Sequence, residues 1–162
     1  MKKPRKKYER PLKLWDKERI EREKILVKSF GLRRKKEIWR AEALLRKYRR
    51  MARELAAKKD KEKEKMLVDK LIKVGLLQEG ADLDDVLDLT LEILLERRLQ
   101  TILQKKGLVN SVKQARQFIT HGHVRIGERR IVYPSYLVSK EEEGKIQIDI
   151  VVNKPKVIAN GS

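Results

Sequence analysis

Ile38, Ala41, Leu45, Tyr48, Ala52 and Leu55 recur in alternating steps of three and four residues. That spacing keeps all six side chains on one side of a helical turn, so residues 35–57 are expected to form a helix with a single buried stripe. Off the stripe stand Arg40, Arg46, Lys47, Arg49, Arg50 and Arg53. The same helix therefore presents a ladder of cations away from its core. An ordinary solvated face would carry balancing glutamates, and few accompany this one, so contact with phosphates is the expectation.

The imbalance runs through the chain: 42 Lys plus Arg stand against 24 Asp plus Glu in 162 residues, a formal charge of +18. Folding does not call for such an excess, which points to a polyanionic partner. Aromatic residues make up only 5%, too few for reading single strands mainly by stacking, so phosphate contacts should carry most of the affinity. The absence of cysteine excludes disulfides, thiolate zinc sites and cysteine nucleophiles. No run approaches the roughly 18 apolar residues of a membrane span, and none behind the basic start resembles a signal peptide. A soluble, cytoplasmic protein with no membrane or small-molecule partner and no cofactor is expected.

Four regions are expected. Residues 1–15 carry Pro4 and Pro11 among many cations and read as an extended basic arm. Residues 16–96 read as helical. Asp16 is placed to cap a helix reaching about Phe30, with Ile20, Val27 and Phe30 near one face and Gly31 as its stop. Lys58 to Lys65 is low in complexity and fits either a solvated helical extension or a joint, and Met66 to Val74 reads as a further helix. Asp82, Asp84 and Asp85 suit a helix start, and Leu87 to Leu103 forms an apolar face, with room for a break near Asp88 to Thr90, that one or two helices would satisfy.

Residues 97–150 change character. Ser111 caps a short helix whose Val112, Ala115 and Ile119 face inward and which Gly122 ends. Val124–Ile126, Arg129–Val132, Leu137–Ser139 and Ile146–Ile150 then alternate as in a small antiparallel sheet. The fold class is α+β, a mainly helical N-terminal half followed by two helices and an antiparallel sheet; residues 151–162 form a tail. The Ser-capped helix, its turn and the first hairpin bring Lys113, Arg116, His121, His123, Arg125, Arg129 and Arg130 toward one concave cationic surface.

The bland alternatives fare worse. His121 and His123 among cations make a poor zinc site, and Ser111 is accounted for as a cap with no orienting acid or oxyanion hole nearby. The aspartates lack calcium-loop spacing. Trp15 and Trp39 fit base stacking, but an aromatic at the edge of an apolar face more often packs inside. No catalytic or metal-binding residues are assigned.

Arg98-Leu99, Ser111, Ala115-Arg116, His121-Gly122-His123-Val124, Gly127 and Pro134-Ser135-Tyr136 follow the order of the RNA-binding module named after ribosomal protein S-four. The chain resembles that family over most of residues 8–150, because GLRRKKEIWRAEALLRKYRRMARELA (31–56) looks like the helical region of its archaeal and eukaryotic ribosomal branch. The module also serves pseudouridine synthases, tyrosyl-tRNA synthetases and heat-shock proteins. A pseudouridine synthase would need a further catalytic domain, and a stress factor little beyond the module. Some bacterial relatives carry a zinc-binding cysteine cluster, which does not carry over.

The resemblance implies a non-enzymatic constituent of the small ribosomal subunit, a monomer within the ribosome. It would bind small-subunit ribosomal RNA at a multi-helix junction early in assembly, beside neighbouring small-subunit proteins near the messenger entrance. Arg97, Arg98, Lys113, Arg116, His121, His123 and Arg125 are the expected RNA contacts, with Arg129, Arg130 and Tyr136 in second rank. Arg33, Arg34, Lys35, Lys36, Arg40, Arg46, Arg49, Arg50 and Arg53 extend the set into the N-terminal half.

Overall fold

The computed structural model describes residues 7–149, which divide into two compact units, the first ending at Arg97 and the second beginning at Arg98. The expectations for residues 1–6, for Ile150 and for the tail lie outside the described residues. Residues 7–15 hold neither helix nor strand.

In the N-terminal unit, α1 spans Lys17–Ser29, α2 Lys35–Lys58, α3 Lys61–Val74, α4 Leu83–Asp88 and α5 Leu91–Glu96. Asp16 caps α1 by accepting from the Arg19 amide at 3.2 Å. The face that α1 buries carries Glu23 and Leu26, while Ile20, Val27 and Phe30 are half-buried at its edge. Helix α2 buries Ile38, Ala41, Leu45, Tyr48 and Ala52, and Leu55 is half-buried, so the stripe is as its period required. Full burial of a leucine contributes about 1.5–3 kcal/mol, which makes this stripe the main driving force of the unit.

Lys58 to Lys65 is neither one continuous helix nor an open joint. Lys59 adopts φ 53° and ends α2, and Asp60 at once caps α3 through the Lys63 amide at 3.3 Å. Gly75, at φ 78°, ends α3. Near Leu83 the Asp85 carboxylate accepts the Asp82 amide at 2.8 Å, so these acids start a helix.

The apolar run from Leu87 to Leu103 lies on three short helices rather than one or two: it breaks near Asp88 to Thr90 as the sequence allows, and a second time at Arg98. Leu89 is extended, at φ −53° and ψ 127°, between α4 and α5. Arg98, also extended, separates α5 from α6, Leu99–Lys105. At the first break the Leu89 carbonyl accepts from Arg49, and at the second the Leu99 amide donates to the Tyr136 carbonyl.

The C-terminal unit comprises α6, α7 (Val112–Thr120), β1 (Val124–Ile126), β2 (Arg129–Arg130), α8 (Lys140–Glu143) and β3 (Ile146–Ile148). The antiparallel sheet has the order β2-β1-β3. Leu99, Leu103, Ala115, Ile119, Val124 and Val138 centre its core. The Arg129–Val132 strand is shorter than expected. Leu137–Ser139 is not a sheet strand: Leu137 makes one antiparallel bridge to Arg98, and the Leu99 amide donates to the Tyr136 carbonyl at 2.8 Å. Ser139 then caps α8, accepting from the Glu142 amide at 3.2 Å.

Candidate nucleic-acid interface

The Ser111 hydroxyl accepts from the Gln114 amide at 3.2 Å, and the Gln114 side chain accepts from the Asn110 amide at 2.9 Å. This reciprocal cap fixes the start of α7. Ala115 and Ile119 then point into the core, leaving Lys113 and Gln117 exposed and Arg116 half-buried. Gly122 follows at φ 76°, a conformation that costs side-chain-bearing residues energy. It turns the chain so that the exposed His121 ring stacks on the half-buried His123 ring at 6.2 Å, with Phe118 edge-on to His123 at 6.3 Å.

On β1, Val124 and Ile126 are buried and Arg125 is exposed. Arg125 lies opposite Arg130 across the β1–β2 pair. Like charges opposite one another disfavour a sheet unless an anion relieves them. Part of that relief is internal, since Arg125 pairs with Asp149 at 2.9 Å and the Arg130 Nε donates to the Gly122 carbonyl.

A second cluster braces the loop after β2. Arg129 donates to the Tyr136 hydroxyl at 3.1 Å and to Glu142 at 3.2 Å, and Tyr136 donates to Glu142 at 2.7 Å. Desolvation alone would raise the Glu142 pKa, but hydrogen bonds from Tyr136 and Ser139 and the Arg129 charge bring it below the usual range. Burial, followed by the bond to Glu142, pushes the Tyr136 phenol up.

Two expected contacts move inward. Arg98 is only 4% exposed, because its backbone bridges to Leu137 and draws the side chain into the interior of its unit. Arg97 is half-buried and donates from Nε to the Val74 carbonyl at 3.0 Å. Its guanidinium lies so close to Gly75 that a Cβ there would meet the guanidinium carbon at 2.9 Å. Arg97 thereby ties the end of α5 to the end of α3.

In the N-terminal unit Arg33, Arg34, Lys36, Arg40, Arg46, Arg50 and Arg53 are exposed. Arg49 leaves the ladder: half-buried, it donates to the Leu89 carbonyl at 2.6 Å and fixes the break between α4 and α5. Lys35 pairs with Glu23 at 3.0 Å. Glu23, 3% exposed, also meets Arg19 at 2.7 Å and the Trp39 indole N–H at 3.0 Å. Burial would raise the Glu23 pKa, yet hydrogen bonds from Trp39, Lys35 and Arg19 lower it overall.

Sequence reasoning missed Glu23. Its only signal was an acid three residues before Leu26, on the side α1 turns inward. Trp39 is half-buried against this acid, whereas Trp15 is exposed. Among the described residues no helix is long and apolar enough to cross a membrane, and no group of three or more His, Asp or Glu side chains gathers to hold a metal ion.

Residues 1–96 match the family described as ribosomal protein S4/S9 N-terminal domain, and residues 97–143 match the S4 domain. A protein of Korarchaeum cryptofilum named small ribosomal subunit protein uS4 is 51% identical over 149 residues, covering 91% of this chain and 90% of its own. Proteins of the same name from Nanoarchaeum equitans and Methanothermobacter thermautotrophicus are 52% and 48% identical. Those two alignments cover 88% and 89% of this chain and 82% and 86% of the respective relatives.

Proposed function

Since this chain belongs to the ribosomal protein S4/S9 family, we propose that it is a structural constituent of the small ribosomal subunit and binds that subunit's ribosomal RNA. The observation that carries the reading is the surface of α7, its turn and β1, where Lys113, Arg116, His121, His123 and Arg125 stand around a glycine-made corner. Such a corner meets RNA through phosphates and shape, since the major groove of A-form RNA is too narrow for side chains.

Arg129 and Tyr136 brace the edge of that surface, and Arg130 holds the Gly122 turn while keeping an exposed cation beside Arg125. In the N-terminal unit, Arg33, Arg34, Lys36, Arg40, Arg46, Arg50 and Arg53 add phosphate contacts. Arginine suits the role because its planar fork bridges two phosphate oxygens. The binding site is a junction of RNA helices, engaged early in assembly in the cytoplasm by one copy of the chain beside neighbouring small-subunit proteins. The role is architectural, without a reaction.

Sucrose-gradient sedimentation of cell extract tests the placement. The chain should travel with small subunits and with their early precursors, and recovery only as free protein would contradict it.

A further inference from the structure

Helix α2 is not convex everywhere. Ala43, Arg46, Lys47 and Arg50 follow the i, i+3, i+4, i+7 pattern of one helical side, and with Lys7 and Tyr8 they line an open cleft of about 440 Å³. That volume falls in the lower half of the roughly 300–1,000 Å³ range of small-ligand sites. Four of these residues are cations. The acid in the wall, Glu9, approaches Arg46 at only 3.9 Å with both side chains largely exposed, a pair weak enough for a stronger anion to displace.

Tyr8 gives the cleft a second kind of wall. Its ring is held against Trp39, centroids 5.9 Å apart and tilted by 37°, and Arg40 lies 5.9 Å from its centroid. These contacts set the orientation of the ring at the cleft wall, and the one-carbon side chain of Ala43 leaves room on the α2 side. Cations beside a fixed ring recognise a phosphate joined to a flat base.

Shape then selects the form of RNA. A paired A-form helix is a cylinder that lies along the exposed arginines but cannot enter a concavity of this volume. A single unpaired nucleotide can. We propose that this cleft seats one unpaired nucleotide of the bound RNA, its phosphate against Arg46, Lys47 and Arg50 and its base against Tyr8. The inference rests on the RNA-binding role proposed above and adds to it a site that recognises unpaired residues.

The test is an NMR titration of the full isotopically labelled chain with three ligands: a short single-stranded oligoribonucleotide, a blunt A-form duplex and a free nucleoside 5′-monophosphate. The Tyr8 ring signals should shift with the single strand and stay in place with the duplex, which reaches only the exposed arginines. Tyr8→Ala should weaken the single strand roughly 5- to 150-fold, the range for losing a stacking aromatic, and Tyr8→Phe should restore it. Lys47→Gln, at an exposed position, should weaken it without altering the fold.

Equal shifts with the duplex, or none with the single strand, would overturn the inference. A monophosphate matching the single strand would reassign the cleft to a free nucleotide and overturn it too. Binding of small-subunit ribosomal RNA by the same preparation separates the two levels. If that RNA binds while the cleft stays silent, only this inference fails; if it does not bind, the reading beneath it fails.

Discussion

Gly122 shows how much of the interface depends on single positions. Its φ of 76° disfavours any side chain, and a Cβ would meet the Arg130 Nε at 2.6 Å. Gly122→Ala should therefore cost at least about 1–2 kcal/mol in denaturant unfolding, and the His121 and His123 ring signals should shift. Unchanged stability and signals would show that the turn is not under this constraint. Arg116→Ala should weaken RNA binding by about 1–3 kcal/mol, as for a lost charge-assisted hydrogen bond, and unchanged affinity in a folded variant would remove Arg116 from the interface.

Glu23 gives a pH prediction. Its carboxyl titrates below the ordinary value in the folded chain, so its cluster stabilises the protein above the unfolded pKa and loses that contribution as the pH falls through the folded one. Glu23→Gln should cost about 1–3 kcal/mol at neutral pH and flatten the loss of stability below about pH 4.5. Parallel acid limbs in variant and parent would exclude Glu23 as their source.

At the scale of elements, what could be read from the sequence depended on whether periodicity and backbone chemistry agreed. They agree in α2, where the stripe is long and unbroken, and in α7, where Ser111, Ala115, Ile119 and Gly122 supply cap, core and stop. They disagree from Leu83 to Lys105. Apolar spacing there continues across two breaks because Leu89, Leu94, Leu95 and Leu99 all stay buried while the backbone turns between them. The first break falls at Leu89, inside the Asp88 to Thr90 stretch where the sequence allows one, and Arg49, forty positions earlier, holds it; the second, at Arg98, has no such local mark.

The same blindness hid the inward turns of Arg97 and Arg98, whose partners Val74 and Leu137 lie far away in sequence. It also promoted Leu137–Ser139 to a strand on alternation alone. Arg49→Met should keep the apolar stem but release the Leu89 carbonyl, costing about 1–3 kcal/mol. Hydrogen exchange should quicken in α4 and α5 more than in α1, and uniform quickening would deny Arg49 a local role.

At the scale of the molecule, charge and shape divide the work of recognition. A formal charge of +18 guarantees attraction to any RNA, so affinity alone cannot establish a ribosomal role. Specificity must come from surfaces that fit one folded RNA, such as the corner between α7 and β1, and fit should outlast salt better than attraction does. The measurement that decides is binding of the purified chain to intact small-subunit ribosomal RNA and to an unrelated structured RNA of equal length, titrated across salt. Both affinities should fall as salt rises while a preference for the ribosomal RNA persists at high salt. Equal affinities that collapse together would contradict the ribosomal role and leave a generic cationic RNA binder.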